Sequence, residues 1–207
     1  MSTKRTIPLQ QNKGTRVFNL RALKEPSIVE RHTALDEREG LTDFLAAYRG
    51  PVMEGLADPM KKLKAFLGSP GPFNPSRFSD GTFPAIYMGD SEETCLAEVS
   101  YHLTEKLRET SAAVTKHHAF QLSLFTLTGE TVDVRRGFPR LHLKNDWTPA
   151  QAFGALRFAE QAKGITFNSV RRKTGVNTAV FKAPLVELGL KVRAVVLQWD
   201  GRDLTTL

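Results

Sequence analysis

The sequence predicts an α+β protein, a mixed β core with helices packed around it, and three observations carry that reading. Helical periodicity dominates before residue 68, capped helices and short apolar strands intermingle from 84 to 163, and strand-like runs close the chain. The regular strand–helix alternation of a doubly wound sheet is missing. Neither Gly-x-Gly-x-x-Gly after a strand nor Gly-x-x-x-x-Gly-Lys occurs, so a dinucleotide would not be gripped in the Rossmann or P-loop manner. There is no internal repeat and no low-complexity segment.

Residues 1–32 are polar and basic with scattered apolar positions, and read as an arm or peripheral structure. From Thr33 to Ala47, Leu35, Leu41, Phe44 and Leu45 recur at helical spacing, and Arg49-Gly50-Pro51 ends that helix. A second helix is expected from Val52 to Phe66, with Lys61, Lys62 and Lys64 on a solvated face. The breaker-rich run Gly68-Ser69-Pro70-Gly71-Pro72-Phe73-Asn74-Pro75 is a loop that delivers Arg77. Pro84 to Met88 is a short apolar strand. Asp90-Ser91-Glu92-Glu93 has the Asp-x-x-Glu form of a capping box and starts a helix running to Glu109. His118 to Leu127 alternates like a strand, and Thr131 to Val134 continues the sheet. Thr148-Pro149-Ala150-Gln151 opens a helix with a capping threonine, proline in the first turn and glutamine three residues on; it ends near Lys163-Gly164. Ile165–Phe167, Thr178–Phe181 and Leu190–Leu197 are the closing strands, separated by Gly175 and Gly189.

At 207 residues the chain suffices for one well-buried core, and the division expected is an N-terminal extension with its helix at 1–48 and a single domain at 49–207. The apolar share of 41% and charged share of 25% are those of an ordinary globular protein. No run approaches the roughly 18 apolar residues of a membrane span, and no secretory leader is visible, so a cytoplasmic location and no membrane partner are expected. Cys95 is the only cysteine, which excludes an internal disulfide and a cysteine-based zinc cluster. His117 and His118 are neighbours, and on a strand they face opposite sides, so no metal site is expected. The net charge of +7 is concentrated partly at Lys4, Arg5, Lys13, Arg16, Arg21, Lys24 and Arg31, and partly at Arg171-Arg172-Lys173. No helix-turn-helix, zinc-finger or RNA-binding signature accompanies it, so direct nucleic-acid binding is not expected. Such a surface suits an anionic small molecule or an acidic protein.

The chemistry-bearing residues are Arg77, Tyr87 and Glu98, placed on a loop, a strand end and a helix. A guanidinium suits a pyrophosphate, an aromatic ring a flat heterocycle, and a carboxylate a sugar hydroxyl beside a developing cation. Leu96, Val99 and Leu103 form the buried stripe of the helix, leaving Glu98 on another side near Cys95, Tyr101 and His102. Taken singly, each is better explained by ordinary structure: Arg77 as a loop cation, Tyr87 as a core-edge aromatic and Glu98 as a solvated helix carboxylate. Trp147 and Trp199 read as core or interface anchors.

Together the segments Ser76-Arg77-Phe78, Pro84-Ala85-Ile86-Tyr87-Met88-Gly89-Asp90-Ser91-Glu92-Glu93-Thr94-Cys95-Leu96-Ala97-Glu98-Val99 and, far downstream, Gly164-Ile165-Thr166-Phe167-Asn168-Ser169-Val170-Arg171 with Gly175-Val176-Asn177-Thr178-Ala179-Val180-Phe181 strongly resemble the RES domain. That family is named for its arginine, glutamate and serine, which here are Arg77, Glu98 and Ser169. Many members carry Gly-Arg-Trp-Asn where this chain has Ser76-Arg77-Phe78-Ser79. The resemblance runs from Arg49 to Ala183 and implies an ADP-ribosyltransferase-like fold that binds NAD+ as substrate. It further implies a toxin neutralised by a helical antitoxin with an Xre-type DNA-binding domain. Some members pass ADP-ribose to water or phosphate; one branch transfers it to a protein, an enzyme of nucleotide synthesis. The expected roles are Glu98 on the ribose and its cationic transition state, Arg77 on the pyrophosphate or proximal ribose, Tyr87 stacked on nicotinamide, and Ser169 as an orienting hydrogen-bonder. The alternative expectation is a basic binding module that kept the fold, lost catalysis and acts with a DNA-binding antitoxin.

Overall fold

The strands assemble into one mixed sheet because a single long strand serves three neighbours. In the computed structural model, which describes residues 7–22, 58–109 and 116–207, the strands are β1 (Leu9–Ala22), β2 (Ile86–Gly89), β3 (Lys116–Asp133), β4 (Gly164–Asn168), β5 (Val176–Val180), β6 (Val186–Trp199) and β7 (Leu204–Thr206). The helices are α1 (Pro59–Leu67), α2 (Glu92–Glu109) and α3 (Thr148–Ala159), with short 3-10 turns at Pro139–His142 and Ala183–Leu185. The order across the sheet is β1-β2-β5-β4-β3-β6-β7, and β3 also pairs with β1. Five strands therefore close on one another, while β6 and β7 extend the sheet from the far half of β3. Only β3–β4 is parallel. The architecture is α+β, as the sequence predicts.

Within the stretch expected to be an arm or peripheral structure, residues 9–22 are a strand of the main sheet, and for them the arm reading is corrected. β1 runs antiparallel to β3 from Leu9↔Val132 to Ala22↔Phe120 and touches β2 at Phe18↔Gly89. Its alternation is masked in sequence by Lys13, Arg16 and Arg21 on the outward side and by Gly14, whose φ of 76° coincides with the register shift between Lys13 and Thr15. The helix expected at Thr33–Ala47, its Arg49-Gly50-Pro51 stop and the first residues of the second helix lie outside the described residues. That second helix is present from Pro59, where Asp58 caps it by accepting from Lys61 N at 2.8 Å. The two strand segments at 118–127 and 131–134 are one strand, because β1 pairs straight through Gly129.

Two helix starts differ in detail from the sequence reading. Ser91, not Asp90, caps α2: its hydroxyl accepts from Thr94 N at 3.2 Å, while Asp90 Oδ1 accepts from Thr94 Oγ1 at 2.6 Å. At α3, Thr148 is already helical and its N–H is held by Asp146 Oδ1 at 2.9 Å. Gln151, freed from capping, reaches across to Ser76 O at 3.0 Å. α3 ends at Ala159, before a left-handed Gln161 (φ 67°), short of the expected Lys163-Gly164.

Each helix covers one apolar cluster. α1 brings Leu63 to Val17, Phe125, Leu127 and Val180; α2 brings Leu96, Val99 and Leu103 to Leu20, Phe120, Leu122, Val195 and Leu197. α3 seats Ala150, Phe153 and Phe158 against Phe78, Phe83, Ile165, Phe167 and Phe181. Phe83 stacks on Phe158 at 4.4 Å between ring centroids and meets Phe181 edge-on at 5.5 Å. A polar thread crosses the closed strands: Asn12 Nδ2 donates to Thr131 Oγ1 (3.2 Å), which bonds Thr166 Oγ1 (2.8 Å), with Thr178 Oγ1 at 3.4 Å beyond. These buried polar groups satisfy one another. Among the described residues no helix is long and apolar enough to cross a membrane.

Cys95 is buried in the α2 cluster, donates to Phe18 O at 3.0 Å, and burial pushes its thiol up to about 12. At pH 8 the thiolate is then roughly a thousandfold scarcer than for a free cysteine. Native protein should resist iodoacetamide for hours and alkylate stoichiometrically once unfolded, as read by intact mass. Rapid modification of folded protein would contradict the packing described.

Candidate active site

The loop ahead of β2 is built to present one arginine inward. Phe73 N donates to Gly81 O at 3.0 Å, and Ser76 and Ser79 form an isolated antiparallel bridge. Ser79 Oγ donates to Phe83 O at 2.5 Å. Gly81 has φ 99°, and a Cβ there would lie 2.6 Å from Phe73 O, so only glycine fits this turn. Tyr87 reaches back from β2, accepting from Phe78 N at 2.8 Å and donating to Ser76 Oγ at 3.0 Å. Its phenol is pushed up to about 12, chiefly by burial. Between these fixed points lies Arg77, only 7% exposed. Its Nη1 donates to Leu141 O (3.2 Å) and Leu143 O (2.8 Å); Nε and Nη2 have no partner among the described residues. Burial lowers the Arg77 pKa, opposed by the negative charge of Glu98, and arginine remains charged.

Glu98 projects from α2 toward a turn at 169–175. Ser169 Oγ donates to Glu98 Oε1 at 2.6 Å and Asn177 Nδ2 donates to the same oxygen at 2.8 Å. Ser169 Oγ also accepts from Arg171 N (3.1 Å) and Arg172 N (2.9 Å). With its proton committed to the carboxylate and its lone pairs to two amides, this hydroxyl orients Glu98 and has nothing left with which to attack. Gly175 lets the turn lie on α2: a Cβ there would sit 2.8 Å from Thr94 Oγ1 and 3.1 Å from Ser169 Cβ. Both bonds to Glu98 fall on Oε1, and Oε2 has no protein partner among the described residues.

A cationic and aromatic rim surrounds the carboxylate. The Arg171 guanidinium stacks on Tyr101, 3.3 Å from the ring centroid, and its Nη2 donates to Lys144 O at 3.4 Å. His102, one turn after Glu98 on α2, is edge-on to Tyr101 at 5.4 Å and to Trp147 at 6.0 Å. Arg171 is close enough to Arg77 to depress its pKa further. Two guanidinium groups thus share one neighbourhood with a single carboxylate between them in charge terms.

The structure brings Arg77, Tyr87, Glu98 and Ser169 together. Glu98 bonds Ser169, Arg77 feels the charge of Glu98, and the Tyr87 hydroxyl is bonded to Phe78 N and Ser76 Oγ on either side of Arg77. Tyr87 is tied at its hydroxyl and meets Phe167 edge-on at 6.1 Å, so its ring is a fixed platform rather than a swinging one. Asn177 escaped sequence reasoning, although it lies in the quoted Gly175-Val176-Asn177 run; an asparagine in a short strand of mostly small apolar residues is the available signal. His102 is placed near Glu98 by helical spacing alone, whereas the position of Arg171 escaped because it depends on how α2 meets the 169–175 turn. Trp147 is half-buried at the rim, whereas Trp199 is in the core. Among the described residues no group of three His, Cys, Asp or Glu side chains is placed to hold a metal.

A family model described as the RES domain matches residues 55–200. Among solved structures, a chain in the crystal structure of the M. tuberculosis MbcT-MbcA toxin-antitoxin complex aligns with 92% of this chain and 87% of its own length, at 13% identity and a TM-score of 0.47. No curated protein matches.

Proposed function

From the premise that the chain belongs to the RES domain family, we propose that it is a toxin that binds NAD+ and cleaves the nicotinamide–ribose bond. The observation that carries this is the Glu98 carboxylate, anchored on Oε1 by Ser169 and Asn177, whose Oε2, like Nε and Nη2 of buried Arg77, has no partner among the described residues. Breaking the glycosidic bond puts positive charge on the ribose, as in glycoside hydrolysis. Glu98 Oε2 accepts from a ribose hydroxyl and its charge stabilises the cation. Arg77 offers Nε and Nη2 as a fork to the pyrophosphate, with Arg171 adding field. Tyr87 supplies a fixed ring for nicotinamide. The leaving group departs as neutral nicotinamide, so no strong acid is needed. The acceptor is water, phosphate or a protein side chain, and an Xre-type antitoxin is the partner that would silence the site. The ADP-ribosyltransferase-like architecture implied by the resemblance accords with this chemistry.

Incubation with NAD+ labelled in its adenylate half, with and without bacterial lysate, tests this. Free nicotinamide with labelled small-molecule products means hydrolysis or phosphorolysis, and label on a protein band means transfer. No consumption under either condition would remove the proposal in favour of a catalytically silent binding module.

Asn177→Ala should lower NAD+ turnover about 10- to 100-fold, the equivalent of one charge-assisted hydrogen bond of roughly 1.5–3 kcal/mol. Nicotinamide release by chromatography measures it. Turnover equal to native in a folded variant would mean that Ser169 alone orients Glu98.

A further inference from the structure

Cleavage with water leaves a proton to be placed, and the residues already assigned have no capacity for it. Glu98 Oε1 holds two donors and Oε2 is committed to the ribose. Tyr87 is bonded at its hydroxyl and protonated throughout the accessible range, Cys95 is packed, and Asp90 accepts from Thr94. His142 is used at both nitrogens, Nδ1 by Phe138 O at 3.0 Å and Nε2 by Asn168 N at 3.3 Å.

His102 is different. It lies four residues after Glu98 on α2, hence on the same helix face. Its ring is steered by Tyr101 and Trp147, its nitrogens have no hydrogen-bond partner among the described residues, and the side chain opens to solvent. Resting on the reading of the site as NAD+-cleaving, we propose that His102 is the acceptor-side base, taking the proton of the attacking water.

The bond from ribose C1′ to the pyridinium nitrogen breaks, and its electron pair leaves with nicotinamide, which becomes neutral. The water oxygen bonds C1′ and one of its protons passes to the imidazole and then to solvent, leaving ADP-ribose. The base must be unprotonated beforehand. Burial lowers the His102 pKa, as do Arg171 from the 169–175 turn and Arg77 from the loop ahead of β2; Glu98 and Glu105 on its own helix raise it. The net direction is downward, so the neutral form prevails at pH 7 and is lost below the ordinary value of about 6.5.

Hydrolysis and base exchange separate this role from a structural one. Returning labelled nicotinamide to the ribosyl cation uses a pyridine nitrogen with no proton to lose, whereas water must lose one. In His102→Gln, hydrolysis should fall about 100-fold, the lower end of general-base effects, while incorporation of labelled nicotinamide into NAD+ survives within about threefold. In the native protein, the hydrolysis-to-exchange ratio should fall as pH drops from 8 to 5, and in the variant it should be flat. Parallel loss of both reactions, equal rates of both in variant and native, or a pH-independent native ratio would overturn the assignment. The native pH series answers the question even if the variant does not fold. A native protein that catalyses neither reaction removes the NAD+ reading itself, and the role of His102 with it.

Discussion

Glu98→Gln should reduce nicotinamide release from NAD+ by about 1,000-fold while the fold is retained, the upper range for removing one preorganised electrostatic contact. The substitution is isosteric. An amide oxygen placed where Oε1 now lies still accepts from Ser169 and Asn177, so the turn at 169–175 keeps its anchor. What changes is the open side, where Oε2 becomes an NH2 group that donates instead of accepting and carries no charge against the ribosyl cation. Substrate affinity should change far less than turnover, because the lost interaction matures only in the transition state. Turnover by chromatography, affinity by calorimetry and a thermal melt read the three quantities. Native-like turnover in a folded variant would show that Glu98 serves only to hold the turn.

Gly154→Ala should destabilise the protein by about 1–3 kcal/mol or more, the usual range for overpacking, and should take activity with it. Alanine in a free helix position stabilises by about 0.8–1 kcal/mol relative to glycine, so the sign is the diagnostic. Here a Cβ would lie 2.0 Å from Phe78 O and 2.8 Å from Phe78 C. Both are backbone atoms, unable to rotate aside. Phe78 is fully buried, meets Phe167 edge-on at 4.9 Å and immediately follows Arg77. Pushing α3 away therefore also strains Gln151 on Ser76 O and tilts the loop that aims the guanidinium. A melting temperature lower by roughly 3–10 °C is expected for a chain of this size. An unchanged or raised melting temperature would mean that α3 and the Phe78 loop do not meet so closely.

Local signals in the sequence sufficed for much of the fold. Proline at the first turns of α1 and α3, the capped start of α2 and the apolar runs of β4 and β5 each act within a few residues. Longer-range order did not show. β1 reads as an arm because its burial is uneven and its lysines and arginines face outward; only pairing with β3, about one hundred residues later or more, makes it a strand. The break expected between Leu127 and Thr131 is absent for the same reason: β1 pairs straight through Gly129, which takes a φ of 115° open to glycine.

The candidate site divides in the same way. Arg77, Tyr87, Glu98 and Ser169 could be picked out because a resemblance joins residues that are far apart in sequence. Periodicity and composition sufficed for the α+β class and for which residue types suit a dinucleotide, and the resemblance placed Ser169 in a glycine-bounded turn. Long-range folding is what commits Ser169 and Asn177 to one oxygen of Glu98, gives one nitrogen of Arg77 to Leu141 and Leu143, and lays the Arg171 guanidinium on Tyr101. Composition and periodicity register what each residue is and which face it takes. Hydrogen bonds of fixed direction between segments some seventy residues apart exist only once the sheet has closed.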